Sequence, residues 1–189
     1  MGADRQNPEI HCRAVTPETS SDLATFTRCH GKFAYCSCMR WRMRSTEYQR
    51  ATKKMRQARL LEMVDEGKPV GVLAYDGDEP IGWCSVAPRE SYEALERYKA
   101  LPRIDGASVW SVVCFFVARR FRGKRVTLGL LTAALDYARS HGARIVEGYP
   151  VDPGRLYTYM GSPATFRKAG FRDVTPPGQL RRIVRCDLY

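Results

Sequence analysis

Apolar positions change their period several times along the chain, and each change marks an element. Residues 10–15 alternate as a short strand, and Thr16-Pro17-Glu18-Thr19 follows as a helix-start signal. From 45 to 66, Tyr48, Met55, Leu61 and Met63 recur amid charges until Gly67-Lys68-Pro69, so the spacing predicts one helix with a glycine exit. In "PVGVLAYDGDEPIGWCSVAPR" two β-rich runs flank Asp76-Gly77-Asp78, which predicts a hairpin with strands over 70–75 and 80–86. A short helical segment is expected within 89–101, then the most buried strand over 107–117. From about Val126, Leu131, Leu135 and Ala138 fall on one side of a helix and Thr132, Asp136 and Arg139 on another, ending at His141-Gly142. With a strand over 143–149 this completes a βαβ unit. Ser162-Pro163 caps a helix of about two turns that Gly170 closes, and strands over 171–174 and 181–188 are separated by Pro176-Pro177-Gly178. The pattern predicts an α+β (mixed α/β) fold, a central mixed sheet with helices on its faces.

Composition narrows this to a single domain over 1–189, because 189 residues with 44% hydrophobic content fill one core and not two. The longest apolar run, 107–118, falls short of the roughly 20 residues a membrane span needs. The start, "MGADRQNPEIHCR", lacks the apolar core of a signal peptide, and Gln6 stands where a myristoylation signal needs Ser or Thr. A soluble cytoplasmic protein without a membrane partner is expected. Seven scattered cysteines point the same way, to reduced thiols. Cys29, His30, Cys36 and Cys38 lack zinc-knuckle spacing, so they are expected to line a core or pocket without metal.

Charge changes the picture most. The formal net charge is +11, and Arg119, Arg120, Arg122, Lys124 and Arg125 come with no acid among them immediately before the helix pattern at Val126. A helix start presents unpaired N–H groups and about half a positive charge, so this turn is a candidate phosphate site. It is neither a nucleotide-cleaving P-loop, since Gly123-Lys124 is followed by Arg125, nor a three-glycine dinucleotide turn. A second basic stretch, Arg40 to Arg59, is interleaved with Glu47 and reads as a solvated helix face. A non-catalytic nucleic-acid-binding module built on it is the other alternative, although the stretch matches no recognised nucleic-acid motif.

The segment "FRGKRVTLGLL" resembles the coenzyme A turn of the GNAT N-acetyltransferase family, Arg/Gln-x-x-Gly-x-Gly/Ala, with Arg122 retained and Arg125 and Thr127 at the two glycine positions. The stretch from "CFFVARRFRGK" through "ALDYARSHGARIVEGYPVDP", and the helix-Gly-Phe close "ATFRKAGF", are similar to the same family. The resemblance implies acetyl-CoA as co-substrate, no metal, and direct attack by a primary amine on the thioester. It implies a pyrophosphate site at Arg122, Gly123, Lys124, Arg125, Val126 and Thr127, with backbone around Phe116 and Val117 aligning the pantetheine arm. Family members often carry the thiolate's acid four residues before the final Gly-Phe; Phe166 is there. Tyr157 and Tyr159 lie upstream, and Tyr159, nearer Ser162, is the preferred substitute. Glu147, the carboxylate nearest the expected strand opening, is either a general base acting through water or the partner of an arginine. Cys114 has no nearby His in sequence and is expected to be inert core. Acceptor-contacting loops are expected over 29–44 and 89–103, with Cys36, Cys38 and Trp41 lining the pocket beside Phe33 and Tyr35. The acceptor would be a small-molecule or peptide amine, the protein a monomer or homodimer. Acetylation of aminoacyl-tRNA is the alternative that +11 suits, RNA being the less favoured partner.

Overall fold

The computed structural model describes residues 10–31, 36–152, 154 and 158–189. Among them β1 (Ile10–Ala14), β2 (Gly71–Asp76), β3 (Glu79–Pro88), β4 (Trp110–Val117), β5 (Ile145–Gly148), β6 (Arg172–Asp173) and β7 (Val184–Asp187) form one sheet in the order β1-β2-β3-β4-β5-β7-β6. Each pairing is antiparallel except β4 with β5. Connections explain the exception: β2 and β3 join through the Gly77 turn, whereas parallel strands need a crossover, supplied by helix α6 (Val126–Ser140).

Helices cover both faces, as the pattern predicts. On one, the buried positions of α6, Val126, Leu130, Leu131, Ala134, Leu135 and Ala138, recur at helical spacing and pack on Val72, Ala74 and Cys84. On the other, α1 (Ser20–Cys29) and α4 (Lys53–Asp65) bury Leu23, Phe26, Leu60 and Val64 against Leu73, Trp83 and Phe116.

The single helix expected over 45–66 is two, α3 (Ser45–Arg50) and α4. Ala51 is extended and buried at the break, and the Thr52 hydroxyl accepts the Met55 N–H at 3.2 Å as a new N-cap. Two four-residue helices, α2 (Met39–Arg42) and α5 (Glu93–Glu96), are too short to show a period. Helix α7 (Pro163–Lys168) begins where expected, the Ser162 hydroxyl accepting the Thr165 N–H at 3.3 Å.

Strand β4 is paired with β5 over only its first part. Their pairing runs Trp110 with Val146, Ser111 with Glu147 and Val112 with Gly148, and stops. On the other edge Ser85 faces Cys114 while Val86 faces Val112, which leaves Val113 as an extra residue. A bulge bends its strand, here at the level where β5 is left behind. The Phe166 ring of α7 lies directly against the last rung, since a Cβ on Gly148 would stand 2.1 Å from its Cε1. Gly148→Ala is expected to lower the unfolding free energy by about 1–3 kcal/mol in urea titration, by overpacking. Unchanged stability would contradict this contact.

Candidate active site

Past the end of β4, a short 3-10 turn (Arg119–Phe121) leads through Gly123 to α6. A cleft of about 550 Å³ opens there, bounded by Val117, Arg122, Gly123, Arg125, Val126 and Thr127, and on the far side by Thr165 and Lys168 of α7. Its walls carry no carboxylate and three cationic residues, Arg122, Arg125 and Lys168, a balance that favours an anion. Gly123 has φ +81 and open space where a Cβ would stand, so the backbone is approachable. Arg125 has φ +61, a left-handed conformation that costs a non-glycine residue about 1 kcal/mol. The Arg125 carbonyl accepts the N–H groups of Leu128 and Gly129, at 3.0 and 3.2 Å, and so starts the helix.

Six of the eight residues expected to hold a cofactor therefore border one cleft. The Arg122 guanidinium is anchored, its Nε donating to the Val117 carbonyl at 3.1 Å. Lys124 instead places its ammonium 5.4 Å from the Phe121 ring centroid. Phe116 points to the α1 face, against Phe26. Arg120, counted in the cationic turn, is ion-paired with Glu79.

Glu147 is at the rung beside Ser111, where β4 and β5 are about to part, and is 1% exposed. Its Oε2 accepts from Arg89 Nη1 at 2.9 Å and from the Tyr149 hydroxyl at 2.8 Å; its Oε1 accepts from Arg185 Nε at 2.9 Å and lies 2.8 Å from Nη2. Of the two readings open for this residue, the geometry realises the arginine pair. Arg185 reaches on to Asp105, whose carboxyl those hydrogen bonds hold down at about 2. Burial, with Glu147 beside it, raises the Tyr149 phenol above its usual range, and its hydroxyl also lies 2.7 Å from Ser111 Oγ across the strands.

On the acceptor side, Trp41 is half-buried with its ring 5.5 Å from that of Tyr98, which joins the two expected acceptor loops. Cys36 is half-buried as well. Cys38 is a core residue, a correction to its expected place in a pocket wall. It is 2% exposed, its sulfur accepts the Trp83 indole N–H at 2.9 Å, and burial pushes its thiol well up. Tyr159 is 37% exposed in a 3-10 turn (Thr158–Met160) that packs along β4. Phe33, Tyr35 and Tyr157 lie outside the described residues. Among those described, no three His, Cys, Asp or Glu are grouped to hold a metal, and no helix is long and apolar enough to cross a membrane. The Arg40 to Arg59 stretch is not a continuous basic face, because Arg42 and Arg56 are buried.

A sequence model of the acetyltransferase (GNAT) family matches residues 35–155. The chain belongs to the GNAT acetyltransferase family. Acetyl-CoA is the co-substrate of GNAT enzymes. Solved structures share the fold at low identity. PaiA N-acetyltransferase from Thermoplasma acidophilum, in complex with coenzyme A, is 14% identical with a TM-score of 0.55, over 95% of this chain and 99% of that one. A Drosophila melanogaster polyamine N-acetyltransferase that forms N-acetylagmatine is 16% identical with a TM-score of 0.56, over 95% and 100%. Ribosomal-protein-alanine N-acetyltransferase from Brucella melitensis is 18% identical with a TM-score of 0.53, over 94% and 99%. No curated protein matches.

Within the GNAT frame, Arg125 keeps the left-handed backbone at a motif position where glycine is usual. Phe166, at the usual acid position, is fully buried against Phe115 and Phe171, so it packs and cannot donate. Sequence reasoning missed Thr165 and Lys168, which only the docking of α7 brings to the cleft. It also missed Arg89 and Tyr149, for which the signal was present: a polar residue inside an apolar strand pattern needs a buried partner. Glu147→Gln is expected to cost about 3 kcal/mol of unfolding free energy in urea titration, because it leaves Arg89 and Arg185 without their shared buried anion. A loss below about 1 kcal/mol would mean that the clamp contributes little.

Proposed function

We propose that this GNAT enzyme transfers the acetyl group of acetyl-CoA to a primary amine by direct attack in the opening between β4 and β5. The single observation behind this reading is the acid-free cationic cleft at the end of β4, continuous with the start of α6. Its residues suit a pyrophosphate: approachable backbone at Gly123, guanidinium groups at Arg122 and Arg125, the first amides of α6 at Val126 and Thr127, and Lys168 opposite. Lys124 adds charge from outside the wall. Backbone around Phe116 and Val117 aligns the pantetheine arm, in a stretch of β4 that has lost β5 as partner.

Acetyl-CoA supplies an acyl carbon activated as a thioester. The chain's own part is to hold the amine in line, offer an N–H to the carbonyl oxygen, and provide a proton for the sulfur. Tyr159 is the group proposed to give that proton, from its turn beside β4. Glu147, bonded to Arg89 and Arg185, joins β5 to β7 and to the 89–105 segment, and the route proposed for the amine's proton is to solvent. A sheet running from Ile10 to Asp187 supports one domain over 1–189. Seven free cysteines support a reducing, cytoplasmic setting.

Charge reversal tests the site. Arg122→Glu with Arg125→Glu is expected to weaken acetyl-CoA binding at least about 30-fold in titration calorimetry, with the thermal transition retained. Unchanged affinity would place the co-substrate elsewhere.

A further inference from the structure

The half of the chain that frames the opening has no carboxylate to spare. Nine Asp and Glu lie between Arg89 and the C-terminus, and each is ion-paired with an arginine. On the 89–105 segment, for example, Glu96 holds Arg89 and Arg103, and Asp105 holds Arg185. An acceptor with a cationic far end would have to displace an arginine there.

Arg181 is the opposite case. It is half-buried, and its partner among the described residues is the Met160 thioether, 3.3 Å from Nη2. A thioether is a weak, uncharged acceptor. Met160 belongs to the buried cluster of Val113 and Tyr149, against which Trp41 and Cys114 also pack, so Arg181 lies on the acceptor side of β4. Its loop is fastened to the other acceptor segment by Gln179, whose amide donates to the Ala100 carbonyl at 2.5 Å. Arg182 next to it is occupied by Asp152 and Asp173. The result is a guanidinium without a counter-charge among the described residues, a geometry suited to two parallel hydrogen bonds to one carboxylate or phosphate.

We infer that the acceptor is a primary amine that also carries an anionic group, received by Arg181. This rests on the acetyl-transfer reading above. The nitrogen forms a bond to the acetyl carbon, the carbon–sulfur bond breaks, the nitrogen gives up a proton and the thiolate takes one. It also sets this enzyme apart from the agmatine product named for the Drosophila neighbour.

The experiment measures thiol release at saturating acetyl-CoA with γ-aminobutyrate and O-phosphoethanolamine as anionic amines, butylamine as the neutral one, and putrescine and agmatine as cationic ones. One or both anionic amines should exceed the cationic ones in kcat/KM by at least about tenfold, the better of the two identifying carboxylate or phosphate. Arg181→Glu should abolish that preference without changing acetyl-CoA affinity in calorimetry, and Arg181→Lys should retain part of it. Equal turnover, a lead for the cationic amines, a preference that survives Arg181→Glu, or no turnover of any amine despite bound acetyl-CoA overturns the inference. If the wild-type protein fails to bind acetyl-CoA, the acetyl-transfer reading falls with it, and calorimetry shows that separately.

Discussion

Everything about the site depends on how β4 leaves β5. Hydrogen-bonded strands lie about 4.8 Å apart, too close to admit a chain of substrate atoms, so a sheet must be broken to be entered. Here two features meet at the level of the break. Val113 is extra on the β3 edge and bends β4, while the Tyr149 hydroxyl, which also donates to Glu147, meets Ser111 Oγ across the last joined rungs. The opening is also walled by Phe166, which packs where Gly148 leaves no side chain.

Arginine is used in two ways around this opening. Arg89 and Arg185 are buried and converge on one carboxylate, and Arg89 also donates to the Leu101 carbonyl at 2.7 Å, so the cations serve as struts between β5, β7 and the 89–105 segment. Replacing such a group by an apolar one of similar volume need not destabilise, but removing one partner strands the others. Arg122 and Arg125, by contrast, stand at the cleft with no acid on its walls. The positive net charge is thus partly an internal scaffold and partly gathered around this cleft, and its total says little by itself.

How legible this was in the sequence follows from the range of each interaction. The hairpin at Asp76-Gly77, the helix from Val126 to Ser140, the Ser162 cap and the cationic turn are local, and each stood where pattern and turn chemistry put it. The break at Ala51 was hidden because Thr52 follows a run with unbroken helical spacing. The Val113 bulge leaves no mark in a run that is apolar on both faces. Glu147 stood out as a lone carboxylate in a strand, but its partners lie 58 and 38 residues away, which no local pattern encodes. Cys38 belonged to a dense cysteine and aromatic segment, and only the tertiary fold turned it inward onto Trp83.

Hydrogen–deuterium exchange with and without acetyl-CoA tests the central claim most directly, because it reports on each backbone segment separately. The account predicts slowed exchange at 123–128 and in β4 beyond Val112, with β1 and β2 unchanged. Protection absent from those segments, or appearing instead in the groove between α3 and α4 around Met43 and Met55, would contradict it.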